Sequence, residues 1–252
     1  MLRPFIYTYK RDNHSSKKIA DVLGCSRIFA EDEYRYQETD LIVNWGSGYR
    51  PQWWKNDIKI LNHPTAVIKS INKAFSFNVF SQNSITIPER TTDISTAVTW
   101  IREGEIVFCR QILDGLNGHG IVVAKNEEQL VNAPLFTKYV KNRDEFRVHV
   151  FNGAPIFWTV KKKETNAPAD LEHYVKSGHY WCMGWADDIP QECKEEAVKA
   201  TVALGLDFAA VDIGMNYHRN KAYVFETNTA PGGFGPVTLE RYITAIRRKL
   251  NE

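Results

Sequence analysis

The stretch Leu206–Gly232, LDFAAVDIGMNYHRNKAYVFETNTAPG, constrains this chain more than any other part. It reads as two apolar strands joined by a polar turn. Each strand carries one acid into an otherwise apolar run, Asp212 in the first and Glu226 near the end of the second. Asn228 lies two residues after Glu226. Side chains two apart on an extended strand share a face, so Glu226 and Asn228 point the same way. If the strands pair, Asp212 can join them. Three hard oxygen ligands converging on a sheet surface suit magnesium bound beside phosphate oxygens. The alternative for a lone strand acid is an edge or surface position. The residues that follow, Thr229-Ala230-Pro231-Gly232-Gly233, force a turn just past the ligands.

At 252 residues the chain can bury a full core and divide into lobes. A net charge of +2 gives no case for a large nucleic-acid or membrane surface, although a local basic groove for nucleic acid stays open. No window approaches a transmembrane length, and the N-terminal apolar run is too short for a signal peptide. Cys25, Cys109, Cys182 and Cys193 lie far apart with no Cys-x-x-Cys pair. That argues against a zinc site or disulfide framework and fits a reducing cytoplasm.

Pro4–Tyr9, Asp40–Asn44 and Ile58–Leu61 are expected strands, with a helix capped by Ser15 or Ser16 and ended by Gly24. This pattern predicts a small parallel α/β lobe. A helix from Thr65 to Ser81 carries Lys69 and Lys73. Extended structure resumes at Ile85–Pro88, followed by a helix at Ile94–Arg102 and strands at Glu105–Arg110, Ile121–Ala124, Leu135–Val140, Glu145–Phe151 and Pro155–Lys161. Lys163–Asp188 reads as a long loop. There His179, Tyr180, Trp181 and Trp185 either wall an acceptor site or pack the loop onto the core. Helices are expected at Pro190–Leu204 and from about Thr238 to the end.

Further constellations carry chemistry. Arg110 ends a buried strand and is followed by Gly115, Gly118, His119 and Gly120. Glycines let backbone N–H groups approach phosphate, although Asp-Gly and Asn-Gly are also ordinary hairpin turns. No Gly-Lys-Ser/Thr follows, so this is not a P-loop. Lys138-Tyr139-Val140-Lys141 precedes Glu145-Phe146-Arg147, and Glu145 and Arg147 share a strand face. They can bind ribose hydroxyls and phosphate, or form an exposed cross-strand ion pair. His149, two after Arg147, reaches the site or is a satisfied structural histidine. Of Lys161, Lys162 and Lys163, at most two can face one site.

In this order the pieces resemble the ATP-grasp superfamily, from roughly Ile58 to the C-terminus. Asp212…Glu226-Thr227-Asn228-Thr229-Ala230-Pro231-Gly232 is similar to the metal-ligand signature of the D-alanine–D-alanine ligase and the ribosomal-protein glutamate ligase. Asn62…Asn72-Lys73…Ile87-Pro88 is similar to the family's entry into its central lobe. ATP-grasp proteins of unassigned substrate, many encoded by phages, carry similar Trp-Gly, Lys-Tyr, Glu-x-Arg-Val-His-Val and Asn-Thr-Ala-Pro-Gly motifs. The resemblance implies an α/β fold with three parts: an N-terminal α/β lobe over residues 1–62, a central lobe with a glycine-rich lid over 63–139, and a C-terminal lobe with the metal site over 140–252. It makes Lys73 the first nucleotide lysine and puts Arg110 where the family has a second phosphate lysine. It makes Gly115–Gly120 the lid, Lys138–Lys141 the hinge against the adenine edge, and Glu145 the ribose acid. Lys138 departs from the pattern, since many members have an acid there accepting from the adenine amino group.

The implied activity is an ATP-dependent ligase joining a carboxylate to an amine (or thiol) through an acyl phosphate, with release of ADP and phosphate. Two magnesium ions, or manganese, would sit on Asp212, Glu226 and Asn228, while Arg147 with Lys161 or Lys162 would hold the γ-phosphate or acyl phosphate. Its partners would be small-molecule or peptide carboxylates and amines, with no membrane. The rival readings are a kinase on the same scaffold that phosphorylates a hydroxyl, and a nucleotide-binding module with weak turnover.

Overall fold

The N-terminal apolar runs pair as buried parallel strands. β1 (Arg3–Thr8) and β3 (Asp40–Trp45) lie side by side, flanked by β2 (Arg27–Ile28) and β4 (Ile60–Leu61), in the order β2-β1-β3-β4 with every pairing parallel. The whole of β3 is buried, as a parallel strand covered on both faces should be. The computed structural model describes residues 2–54, 57–115, 118–141, 144–163, 180–182, 187–232 and 235–252. α1 (His14–Leu23) covers this sheet through Ile19 and Ala20. Its cap is Asn13 rather than Ser15 or Ser16. The Asn13 amide oxygen accepts from the Ser16 N–H at 2.8 Å, which draws both serines into the first turn. Gly24, at φ 65°, ends the helix as expected.

The helix expected over Thr65–Ser81 is two helices, α2 (Pro64–Ile71) and α3 (Lys73–Gln82). Asn72 has extended backbone between them, and its side chain accepts from the Phe75 N–H at 3.0 Å. It therefore stops one helix and caps the next, setting Lys73 at the first position of α3. Ile85–Pro88 joins no strand. Thr86 instead accepts from the Val224 N–H and donates to the Glu196 carboxylate.

A second, antiparallel sheet has the order β5-β8-β6-β7, from β5 (Arg90–Thr91), β6 (Val107–Arg110), β7 (Ile121–Ala124) and β8 (Leu135–Lys138). α4 (Ile94–Arg102) packs Ala97 and Ile101 against Val107, Cys109 and Phe136.

The third sheet is antiparallel, in the order β11-β10-β9-β12-β13. Its strands are β9 (Asp144–Phe151), β10 (Ala154–Lys163), β11 (Tyr180–Cys182), β12 (Phe208–Asn216) and β13 (Lys221–Asn228). β11 corrects the reading of Lys163–Asp188 as a loop throughout, because the extended backbone there pairs with Lys161–Lys163. His179 and Trp185 lie outside the described residues, as do the side chains of Tyr180 and Trp181. One face of this sheet is core, where Val148, Val211, Ile213 and Val224 pack against Cys193, Ala197 and Ala200 of α5 (Gln191–Ala203). On the other face, Phe151 and Phe208 meet Trp45 and Tyr242 of α6 (Pro236–Leu250). That aromatic cluster closes one end of the face and leaves its middle to polar residues. No described helix is long and apolar enough to cross a membrane.

Candidate active site

Simple alternation would not bring the two acids of the β12–β13 hairpin together. Ala222 and Val224 face the core, and a period of two would send Glu226 and Asn228 after them. A bulge intervenes, because Ile213 opposes Val224 while Asp212 opposes Glu226, so Phe225 is an extra residue. The bulge flips the remainder of the strand. Glu226 then faces Asp212, and Asn228 faces Ala210. Asp212 in turn opposes Arg147, and Arg147 opposes Thr159. A row Thr159–Arg147–Asp212–Glu226 thus crosses four strands on one face. The neighbouring row is Lys161–Glu145–Gly214–Tyr223.

Opposite charges meet across β10, β9 and β12, and the two acids Asp212 and Glu226 then lie side by side. The Arg147 guanidinium forks onto Asp212, with Nε to Oδ1 at 2.7 Å and Nη2 to Oδ2 at 3.0 Å. Lys161 Nζ donates to Asp212 Oδ2 at 2.7 Å and also to Glu145. Burial opposes ionisation of Asp212, but Arg147 and Lys161 outweigh it and hold the carboxyl well below its ordinary range. For Lys161 burial likewise opposes the charge, and Asp212 with Glu145 raises it above the ordinary lysine value. Glu145 goes the other way, because its burial outweighs the help from Lys161. The Arg147 guanidinium therefore has a cross-strand ion pair with Asp212, and Glu145 has one with Lys161. Lys162 is in β10, and its side chain lies outside the described residues.

Lys73 reaches Glu226 from the start of α3, Nζ to Oε2 at 3.1 Å, and its own N–H donates to the Leu113 carbonyl. Arg110 differs. Its Nε donates to Thr137 Oγ1 at 3.3 Å and its guanidinium lies 5.8 Å from the Phe77 ring centre, with no carboxylate at ion-pair distance among the described residues. Burial pulls it down to about 10, partly offset by the charge of Glu226. A partly buried cation without a bonded anion among the described residues is a ready anion site.

The glycine loop is a hairpin between β6 and β7. A Cβ on Gly115 would stand 2.2 Å from the His119 carbonyl oxygen, and one on Gly120 would meet Ile112 at 2.6 Å. Internal packing thus requires both glycines. Gly118 sits at φ 73° and His119 is exposed. Residues 116–117 lie outside the described set.

At the hinge the Lys138 N–H donates to the Glu89 carbonyl, the Tyr139 N–H to the Ile106 carbonyl, and Asn216 Nδ2 to the Lys141 carbonyl. Lys138 Nζ is 3.0 Å from Glu89 Oε2, 3.6 Å from Glu105 Oε1 and 5.1 Å from the Trp100 ring centre. A cavity of about 550 Å3 opens here, lined by Lys138–Lys141 together with Glu89, Glu105 and Tyr223. Neither the acids of the central row nor Lys73 nor Arg110 lines it. His149 is buried and shares a hydrogen bond of 3.1 Å with Tyr242 Oη. Burial, aided by Arg147, brings it down to about 3, so it is a neutral, partnered histidine.

The donor set can be tested for magnesium. No group of three or more His, Cys, Asp or Glu suited to a metal occurs among the described residues. The convergent set is two carboxylates and an amide, all hard donors. The Asn228 amide nitrogen is buried without a hydrogen-bond partner among the described residues, so no bond from that nitrogen fixes which way the amide turns. Its oxygen can turn to a cation, and the set fits.

Sequence reasoning missed Glu89, Glu105 and Tyr223. Nothing in their local spacing marks them. The one signal was Lys138, a lysine at a hinge that has to find an acid from another element.

No family model and no curated protein matches the sequence. Solved structures do match in fold. The ATP-grasp ligase PsnB, complexed with a phosphomimetic variant of its minimal precursor, Mg and ADP, aligns at TM-score 0.69 and 12% identity over 98% of each chain. A RiPP-associated ATP-grasp ligase of Chryseobacterium gregarium, in complex with ADP and a leader and core peptide, aligns at TM-score 0.64 and 15% identity, over 100% of this chain and 97% of that one. The D-alanine–D-alanine ligase of Bacillus anthracis aligns at TM-score 0.62 and 13% identity over 100% of both. The chain has the ATP-grasp fold.

Proposed function

We propose that this chain is an ATP-dependent ligase that activates a carboxylate as an acyl phosphate and transfers the acyl group to an amine. The observation that carries the reading is the cross-strand row Arg147–Asp212–Glu226, flanked by Lys73 and by the partly buried Arg110, which has no carboxylate at ion-pair distance among the described residues. Along this face come first the acids, then the row of Glu145, then the hinge cavity. Successive rows are about 7 Å apart, which follows the order of phosphates, ribose and base along a nucleotide. The solved ligases of this fold, with ADP and Mg in one and ADP in another, support the same reading.

Asp212, Glu226 and Asn228 would hold magnesium, which supplies charge neutralisation for the β- and γ-phosphates when bound. The chain's own groups do the rest. Arg110 and Lys73 meet phosphate oxygens. Once Asp212 is engaged elsewhere, Arg147 and Lys161 are released from it to hold the transferred phosphoryl group. The substrate carboxylate oxygen attacks the γ-phosphorus and the bond to the β-phosphate oxygen breaks, releasing ADP. The amine then attacks the acyl carbon and loses a proton, and phosphate departs. Glu145 would accept from ribose hydroxyls. The glycine hairpin would cover the phosphates and limit hydrolysis of the acyl phosphate. The lobes are proposed as residues 1–62, 63–139 and 140–252.

One of the related structures holds a variant of a minimal precursor and another a leader and core peptide, and a peptide carboxylate is the acyl donor we favour. The test is a screen of amino acids and peptides for acceptor-dependent ADP release, with mass detection of adducts. An amide product with free phosphate is expected. A phosphorylated hydroxyl product, or no ADP with any pair, contradicts the reading.

A further inference from the structure

The hinge carries a chemical contradiction. At position 6 of the ring adenine offers an amino hydrogen donor, and guanine offers a carbonyl acceptor there. A lysine at the base end of a hinge presents donors only, which suits a carbonyl and not an amino group. Yet the Lys138 ammonium is not free. Glu89 holds it at 3.0 Å, Glu105 lies at 3.6 Å, and the Trp100 ring covers it at 5.1 Å. Glu89 comes from the segment just before β5, and Glu105 from the loop before β6. Both line the hinge cavity beside Tyr139 and Lys141. Their side chains remain 64% and 43% exposed, so each keeps carboxylate surface towards the cavity and solvent. The Lys138 side chain is only 16% exposed. The trio carries a net charge of −1 and turns a donor position into an acceptor position.

We infer that Glu89 and Glu105, clamped by Lys138, read the 6-amino group of the nucleotide base and select adenine over guanine. This rests on the nucleotide reading above. Lys138 acts as a positioning residue, and the two acids, drawn from other elements, serve where a hinge acid is absent. Each carboxylate would accept from the amino group and meet the guanine carbonyl oxygen as a second acceptor, without a hydrogen between them.

The test is calorimetric titration of ATP and GTP, each with magnesium, into the full chain and into the E89Q/E105Q double variant. Both positions are substantially exposed, so the double variant should fold, and a thermal melt checks it. Wild type is expected to bind ATP more tightly than GTP by about tenfold or more, the worth of a charge-assisted hydrogen bond. The double variant frees the Lys138 ammonium and should lose most of that ratio, with ATP weakened and GTP unchanged or strengthened. K138M, which removes the clamp and leaves both acids, should weaken ATP less than the double variant does. Equal loss of ATP and GTP, or an unchanged ratio, overturns the inference and leaves the nucleotide reading standing. A wild-type chain that binds neither nucleotide overturns both.

Discussion

Replacing Arg110 by methionine should move stability and binding in opposite directions. The guanidinium is brought down from its ordinary value to about 10, chiefly by burial. At about 1.4 kcal/mol per pH unit, the charged form gives up about 3 kcal/mol on folding. The sign follows from the direction. A base whose folded value is depressed destabilises the fold at every pH below that value, so the cost is present in full at neutral pH. Methionine fills similar space and needs no solvation. Losing the 3.3 Å bond to Thr137 Oγ1 and the contact with Phe77 offsets about 1–2 kcal/mol. The ligand-free R110M protein should therefore be more stable by about 1–2 kcal/mol, as when a buried charge yields to an apolar side chain. Its affinity for ATP should fall by about tenfold to a hundredfold, the worth of one or two charge-assisted hydrogen bonds. Urea denaturation gives the first quantity and calorimetry the second. A variant less stable than wild type that binds ATP equally well would make Arg110 a structural residue and refute the reasoning.

Two further perturbations probe the same face. D212N leaves Arg147 and Lys161 without their shared carboxylate and should cost about 3 kcal/mol in urea denaturation, the lower end for breaking a buried pair; a loss under about 1 kcal/mol would mean that the network contributes little. His149 sits at about 3 in the fold against an ordinary 6.5. A base held neutral contributes fully above its unfolded value and loses that contribution as pH falls below it, by up to about 1.4 kcal/mol per pH unit. Substituting glutamine should flatten the fall in stability between about pH 6 and about pH 4, and an identical pH slope in H149Q would exclude His149 as its source.

Much of the fold was legible because it rests on local signals. The Gly24 stop, the Ile94–Arg102 helix and the Ile121–Ala124 strand needed only capping chemistry and apolar runs. The break at Asn72 was missed because Thr65–Ser81 keeps a continuous helical composition, and only the amide of Asn72 shows that it caps α3. The meeting of Asp212 with Glu226 was foreseen, but not its cause. A residue count of two places them on opposite faces, and the Phe225 bulge, invisible in composition, brings them together. The Arg147–Asp212 and Glu145–Lys161 pairs depend on register across three strands, which no local pattern encodes. Glu89 and Glu105 belong to the same class, since each meets Lys138 from a distant segment.

The most direct test is calorimetric titration of ATP into wild type and E226Q, each with and without magnesium. Glu226 accepts from Lys73 and faces Asp212, and its substitution removes one of the two carboxylates without adding bulk. Wild type should bind ATP in a magnesium-dependent way, and E226Q should lose the magnesium dependence while keeping a wild-type melting profile. Magnesium-dependent binding of equal strength in both proteins would contradict the assignment of this face as the site of phosphoryl transfer.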